Sequence, residues 1–189
     1  MILIMMLNGL HIVQTVTDLA AVVSGEADYA VLSGDQLYAV GNNDQIEIKA
    51  WLDDLVPNYG CCRMNMNTDF VKKNPTTVKL LLKSLIRAEQ WYLANKEECV
   101  KILAKEIGAE EDYVAAYLLN DNYVSSVDPC KNSVVKTWEA MIKMGFIDQA
   151  DADKINIEDH INTELYKEAL DECVAEYHDE DPDFYDGRC

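Results

Sequence analysis

Two adjacent cysteines followed by an arginine, Cys61, Cys62 and Arg63, have the chemistry to hold a small anion. A guanidinium group presents a planar fork of N–H donors that matches a carboxylate or a sulfonate. Side chains alternate faces along a β-strand, so on a strand one of the two thiols would be buried. The alternative is structural, with two small core thiols and an arginine that pairs with an aspartate. We keep all three as candidate ligand contacts.

Cysteine spacing gives no support to a metal site. The chain has six cysteines: Cys61, Cys62, Cys99, Cys130, Cys173 and Cys189. None forms a C-x-x-C pair, which zinc and iron–sulfur sites commonly use. We therefore predict neither a metal nor a cofactor, and the wide spacing leaves the disulfide state open.

A second candidate site is the turn formed by Ser33, Gly34 and Asp35. It follows an apolar segment with strand character, residues 27–32, and precedes a helical turn. Ligands of open α/β sheets bind at the carboxyl ends of strands, and backbone N–H groups at a helix start suit an anion. The alternative is an ordinary strand-to-helix turn in which Asp35 caps the helix.

Four aromatic residues could line a cleft. Trp51 and Tyr59 flank a turn-rich segment, which makes them candidate ligand contacts. Trp91 and Trp138 fall on the apolar stripes of predicted helices and are expected in the core.

Histidine placement gives no support to catalysis. His160 follows Asp159, which is typical of hydrogen bonding at a helix start, and His11 and His178 are remote from it in sequence. We therefore predict that the protein is not an enzyme.

The charge balance narrows the class of partner. The 16 basic and 34 acidic residues give a net charge of −18. Binding to nucleic acid or to anionic lipid needs clustered lysine and arginine, so both are disfavoured. Acidic residues crowd the end of the chain, and residues 178–189 are predicted to be a solvated, frayed tail.

The amino-terminal segment matches no targeting signal. Met1 to Leu7 is apolar but lacks the basic flank and cleavage site of a signal peptide. It is typical of a buried strand, so we expect the chain to begin in the middle of a fold.

The elements that would position these residues fall into two regions. Residues 1–66 alternate strand-like and helix-like pieces, which predicts a parallel sheet with covering helices. Its strands are expected near residues 11–14, 27–32, 45–51 and 61–66. Residues 67–177 read as successive amphipathic helices, and the first long one begins at Asn74–Pro75, with asparagine as the cap.

The order of these pieces resembles solute-binding proteins of the nitrate/sulfonate/taurine class of ABC importers. The similarity centres on residues 24–107. It is carried by Ser24-Gly25-Glu26 followed by Asp28, by Phe70, by Asn74-Pro75 before a long helix, by Ala88-x-x-Trp91, by the helix 95–108 and by Cys61-Cys62-Arg63.

The resemblance implies both a fold and a role. The fold would be α/β, a type II periplasmic-binding-protein-like partial fold with a short parallel sheet and a carboxy-terminal helical region. Residues 1–66 would form part of the second lobe with a crossover strand, which would bring residues 61–63 near the hinge, and residues 67–177 would return to the first lobe. The parent protein would be extracytoplasmic, periplasmic or lipid-anchored at the cell surface. It would capture a small anionic or heteroaromatic metabolite by lobe closure and deliver it to an ABC permease.

Two other functions remain open, and the truncated appearance adds an expectation. One is an enzyme similar to thiamine-pyrimidine synthases, although Arg63 stands where that family's motif continues with a further cysteine. The other is a helical protein-interaction module that uses the acidic tail. A sheet cut off at its start would expose an edge, which predicts a homodimer or strand exchange.

Overall fold

The computed structural model describes residues 15–55, 60–186 and 188. Across this part of the chain the secondary structure is helical, and no β-strand is present. The predicted α/β class with a parallel sheet is therefore wrong. The expectation of strand exchange loses its basis with it, since these residues present no sheet edge.

The helices range in length from four residues to 20. In chain order they are α1 (Thr15–Val23), α2 (Leu37–Gly41), α3 (Leu52–Leu55), α4 (Thr68–Lys73), α5 (Pro75–Ala94), α6 (Lys96–Ile107), α7 (Glu111–Leu118), α8 (Lys131–Lys143), α9 (Gln149–Ala152), α10 (Glu164–Tyr177) and α11 (Pro182–Tyr185). Short 3-10 helices occupy Gly34–Gln36, Ile157–His160 and His178–Glu180.

The segments predicted as strands show no strand pairing within the described part of the chain. Residues 27–32, 45–50 and 61–66 have no regular secondary structure. Their alternating side chains also lack a buried face, since Tyr29 is 60% exposed and Ile48 is 44% exposed. Alternation stabilises a strand only when one face is covered and the backbone is paired. The strands predicted before residue 15 lie outside the described residues.

The helices after residue 73 confirm the sequence-based assignment. Asn74 precedes α5, and its carbonyl accepts a hydrogen bond from the Val78 N–H at 3.1 Å. Gly108 ends α6 with a φ of 68°, and Gly145 follows α8 with a φ of 77°. A positive φ favours glycine, so these two residues mark helix ends in the sequence itself.

The chain divides into two compact units. The described part of the first unit comprises residues 15–55 and 95–124, and that of the second comprises residues 60–94, 125–186 and 188. In the first unit α7 packs against α6 and α2. Four tyrosines there form a chain of edge-to-face ring contacts with centroid separations of 5.6–6.2 Å; they are Tyr38, Tyr113, Tyr117 and Tyr123.

The core of the second unit lies between α5 and α10. Val78, Leu82 and Ile86 repeat at helical spacing on α5 and are buried in one cluster with Leu170 and Cys173 of α10. A row of ion pairs runs along the edge of this contact, joining Lys79, Lys83 and Arg87 to Glu168, Glu172, Glu176 and Glu180. Apolar burial provides the stabilisation, because ion pairs this exposed contribute little.

The acidic end of the chain is part of that core, so the prediction of a frayed tail is wrong. Phe184 is 8% exposed and Tyr185 is fully buried. Arg188 donates to the buried Glu89 of α5 at 2.8 Å, and the backbone N–H of Val127 donates to the other oxygen of that carboxylate at 2.9 Å. The prediction failed because it rested on the acidic composition. Burial of the two aromatic rings stabilises the packed segment, while the acidic side chains beside them stay exposed to solvent.

Candidate functional site

The second unit contains a cavity of about 190 Å³. We call it the Arg63 pocket, and its lining residues are Gly60, Cys61, Arg63, Val134, Thr137, Trp138, Met141 and Ile157. Two of the predicted ligand contacts, Cys61 and Arg63, are therefore brought together here.

One wall of the Arg63 pocket is a face of α8. Val134, Thr137, Trp138 and Met141 recur at the spacing that puts side chains on one side of a helix. Trp138 was expected in the core because it lies on this stripe, but it is only half-buried and lines the cavity. None of the described residues of α8 is fully buried. The apolar stripe correctly predicted the helix α8, but the stripe faces the cavity.

The opposite wall is the segment that carries the cysteines and the arginine. The Gly60 N–H donates a hydrogen bond of 2.9 Å to Ser133 Oγ, which fixes this segment to the first turn of α8. At the other side Lys131 forms an ion pair of 2.5 Å with Glu158, in the 3-10 helix that supplies Ile157. Both ends of the cavity are thus tied to the start of α8.

The guanidinium of Arg63 packs directly over Gly60. A Cβ atom placed on Gly60 would lie 1.8 Å from Arg63 Nη2 and 2.6 Å from Cζ. Both distances are far below van der Waals contact, so only glycine leaves room for the guanidinium there. Sequence reasoning missed this role of Gly60, although the Gly-Cys-Cys-Arg order was its one visible signal.

Arg63 has hydrogen-bonding capacity to spare. Its Nη1 donates to the carbonyl oxygen of Cys62 at 2.5 Å. Its Nε and Nη2 are closed off from solvent and have no hydrogen-bond partner in the described chain. Arg63 also takes part in none of the ion pairs among the described residues. The structural alternative, an arginine paired with an aspartate, is not observed there.

Leaving those donors unmet is energetically unfavourable. A buried donor of this kind costs about 1–3 kcal/mol, and more when the group is charged. The rest of the cavity wall is mainly apolar, so it offers the guanidinium no acceptor beyond the one carbonyl. A carboxylate or sulfonate in the cavity would supply two acceptor oxygens for these nitrogens once the guanidinium turns towards it, because both nitrogens are closed off from solvent in the empty cavity.

The two thiols lie on the same side of the chain, against the expected alternation. Cys61 and Cys62 are both exposed, and their sulfur atoms are 3.5 Å apart. Strand alternation does not apply because residues 61–66 are not part of a strand. Cys61 lines the pocket, whereas Cys62 contributes its carbonyl oxygen to Arg63 rather than its sulfur to the cavity.

A third thiol lies close to the start of α8. Cys130 immediately precedes that helix in a left-handed backbone conformation, with a φ of 47°. Burial and the nearby Asp128 carboxylate raise the pKa of the Cys130 thiol, against the opposing charge of Arg63. Cys130 is therefore a poor nucleophile, because the reactive form is the thiolate.

The predicted contacts Ser33, Gly34 and Asp35 belong to the first unit. Ser33 Oγ hydrogen-bonds to Asp35, and this bond lowers the pKa of the Asp35 carboxyl. Gly34 begins a 3-10 helix close to the rings of Tyr117 and Tyr123. The alternative of a strand-to-helix turn capped by Asp35 is not observed either, because residues 27–32 form no strand and Asp35 bonds to the side chains of Ser33 and Gln36 inside the 3-10 helix.

Of the two predicted aromatic contacts, the structure describes Trp51, and it does not join the pocket. Trp51 is half-buried, and its backbone N–H donates to Asp54 Oδ2 at 3.0 Å, at the start of α3. Trp51 is absent from the lining of the Arg63 pocket. Tyr59 lies outside the described residues.

The described residues also hold no group of three or more histidine, cysteine, aspartate or glutamate side chains placed to bind a metal. None of the helices in that part of the chain is long and apolar enough to cross a membrane. Comparisons with protein-family models, with curated proteins and with solved structures find no match. The chemistry of the Arg63 pocket is therefore argued from its geometry.

Proposed function

We propose that this protein binds a small metabolite that combines one apolar ring or branched chain with one oxyanion group. The observation that carries the proposal is Arg63, a cation that lines a mainly apolar cavity and has two buried donor nitrogens without partners among the described residues. Binding sites are typically apolar concavities with a few polar groups that fix the orientation of the ligand.

The size of the cavity sets the size of the ligand. A dry cavity of about 150 Å³ is known to accommodate benzene, and the Arg63 pocket holds about 190 Å³. The apolar body would lie against Val134, Trp138 and Met141, and the oxyanion would face Arg63. Ligands of this size bind with Kd values from roughly millimolar to micromolar.

A role in import is part of the same proposal and has separate support. The ordered segments of residues 24–107 support a solute-binding component that passes its ligand to an ABC permease outside the cytoplasm. The α/β fold that this resemblance implied is not seen in the described residues. Ligand capture by the Arg63 pocket is therefore proposed independently of a role in import. Transport of a labelled ligand in cells that co-express the permease would test the role in import.

The direct test compares charged and neutral ligands of one shape. Benzoate and benzenesulfonate carry an oxyanion, whereas benzamide is a neutral equivalent of benzoate. Charge-assisted hydrogen bonds contribute about 1.5–3 kcal/mol. We expect calorimetry to show benzoate binding at least 10-fold more tightly than benzamide. Equal affinity for the two would contradict a role for Arg63.

Two variants of Arg63 separate binding from stability. Arg63→Met keeps most of the side-chain volume and removes the charge, so benzoate affinity should fall about 10- to 100-fold. Because it also removes two unpartnered buried donors, the free energy of unfolding should stay the same or rise. Arg63→Lys keeps the charge without the fork and should give an intermediate affinity. A large loss of stability in Arg63→Met would show a structural arginine instead.

The interaction-module alternative needs a different test from removal of the tail. Deleting residues from 178 onward would remove Phe184 and Tyr185 from the core and unfold the second unit. The exposed carboxylates Asp179 and Asp183 can instead be changed to asparagine without touching that core. Loss of a protein partner with unchanged benzoate binding would favour the interaction module.

A further inference from the structure

We propose that Cys61 and Cys62 are a thiol–disulfide switch that closes to a disulfide between adjacent residues and weakens ligand binding in the Arg63 pocket. The effect on binding rests on the proposed function. The formation of the disulfide does not, because it follows from the geometry of the two thiols alone.

The two sulfur atoms are placed for the reaction. Their separation of 3.5 Å has to shorten to the bond length of about 2.05 Å, a closure of roughly 1.5 Å. Both side chains are exposed, so an oxidant of small size can reach them. Such proximity is not implied by adjacency alone, because neighbouring residues in an extended chain direct their side chains to opposite sides.

The resulting disulfide would be easily reduced again. Adjacent Cα atoms are about 3.8 Å apart, whereas most disulfides join Cα atoms that are about 4.4–6.8 Å apart. The eight-membered ring that forms is therefore strained. Strained and exposed disulfides have more oxidising potentials and are the labile, regulatory ones.

The chemical step is exchange with a small-molecule disulfide such as glutathione disulfide. Cys62 donates its S–H to Cys61, a contact that raises the pKa of the Cys62 thiol and favours Cys61 as the first thiolate. The Cys61 sulfur attacks one sulfur of glutathione disulfide and releases one glutathione thiolate, which takes up the proton that Cys61 lost. Cys62 then attacks the mixed disulfide, loses its proton and releases the second glutathione. The protein dithiol is oxidised by two electrons, and one glutathione disulfide is reduced to two thiols.

Ring closure reaches Arg63 through the backbone. The ring contains the N–Cα bond of Cys62, so closing it rotates the carbonyl group on the far side of that bond. The same carbonyl oxygen is the acceptor for Arg63 Nη1. Its rotation breaks the hydrogen bond that holds the guanidinium in place. Gly60 and Cys61, which line the same cavity, shift with it. We therefore expect the oxidised protein to bind an oxyanion less tightly.

The first experiment maps the disulfide in the whole chain. The protein is incubated with glutathione disulfide, its remaining thiols are alkylated, and it is cut with trypsin without reduction. Cleavage after Lys49 and Arg63 gives residues 50–63, a peptide that contains Cys61 and Cys62 and no other cysteine. The expected product is this peptide lacking two hydrogen atoms and resisting alkylation. A peptide that stays fully alkylated, or that carries glutathione, would overturn the proposal.

Single-cysteine variants identify the order of attack. Cys62→Ser leaves no second thiol, so residues 50–63 should carry one bound glutathione. Cys61→Ser should react more slowly if Cys61 is the attacking thiol. Equal rates for the two variants would overturn the assigned order, and absence of glutathione from both would overturn the exchange reaction.

The second experiment measures benzoate binding before and after oxidation. We expect affinity to fall at least 3-fold in the oxidised protein, to recover on treatment with dithiothreitol, and to be insensitive to oxidant in the variant with both cysteines changed to serine. A disulfide without any change in affinity would overturn the regulatory part. If the reduced protein binds no oxyanion, the proposed function fails, while the peptide map still decides whether the disulfide forms.

Discussion

Gly60 and Arg63 share one region of space, because the guanidinium lies where a side chain of residue 60 would begin. The arginine can take this position only while residue 60 has no Cβ atom. In this position Nε and Nη2 are buried and have no hydrogen-bond partner among the described residues. At the scale of single residues, the proposed binding chemistry therefore depends on a glycine as much as on the charge.

Gly60→Ala tests this dependence without touching the charge. The added methyl group would meet Nη2 at 1.8 Å, so the flexible arginine has to move out of its position. We expect benzoate affinity to fall about 10-fold or more, with a change in unfolding free energy below about 1 kcal/mol. Calorimetry and urea denaturation measure the two effects. Ser133→Ala, which removes only the acceptor for the Gly60 N–H, is the matched control and should have the smaller effect on binding.

At the scale of elements, the sequence predicted helices well and strands badly. Val78, Leu82 and Ile86 repeat at helical spacing, and Asn74 and Gly108 mark helix boundaries, so local signals agreed with burial in α5 and α6. Ile46 and Ile48 alternate as in a strand, but a strand also needs a partner that alternation cannot specify. The same limit applies to the pocket. Arg63 was predictable from residue type, whereas Gly60 and Trp138 depended on tertiary contacts between distant segments.

The carboxy-terminal element gives a graded prediction of stability. Tyr185 is fully buried, and its hydroxyl donates to Gln90 Oε1 at 3.1 Å. Tyr185→Phe removes the hydroxyl, with its bond to Gln90 and its contact with Arg87, and should cost about 0.5–1.5 kcal/mol. Tyr185→Ala also removes the ring and should cost about 3–5 kcal/mol. Urea denaturation measures both, and equal values for the two variants would show that the ring contributes nothing.

The same element should respond to pH through His178. The imidazole lies 2.9 Å from an Asp186 oxygen, and this contact, with Asp179 nearby, raises the pKa of His178 above its ordinary value of 6.5. A raised pKa in the folded state gives stability that is fully present below pH 6.5 and is lost as pH rises through the folded pKa. His178→Gln should therefore lower the melting temperature at pH 5.5 more than at pH 8.5. Asp186→Asn should remove most of that difference.

At the scale of the whole molecule, net charge is the dominant electrostatic feature. The protein has a net charge of −18, so its negatively charged groups repel one another in the folded state, and salt screens that repulsion. The ion pairs that α5 forms with Glu172, Glu176 and Glu180 act in the opposite direction, but these carboxylates are largely exposed, so each pair contributes little. We therefore expect the long-range repulsion to affect the free energy of unfolding more than the ion pairs do.

We expect the urea midpoint to rise as NaCl is increased from about 20 mM to about 0.5 M at pH 7.5. At pH 5, closer to the isoelectric point of about 4.3, the rise should be much smaller because fewer carboxylates are charged. A midpoint that falls with salt at pH 7.5 would show that the ion pairs outweigh the repulsion.

The burial of Tyr185 and Arg188 against α5 has a consequence for synthesis on the ribosome. Glu89 contacts a residue 99 positions later in the chain, so α5 emerges long before the groups that cover it. At a translation rate of about 5–20 residues per second, roughly 5–20 s pass between synthesis of α5 and synthesis of the residues that cover its apolar face. The second unit therefore completes its fold only after translation of the segment around Arg188. During that interval we expect the apolar face of α5 to remain uncovered.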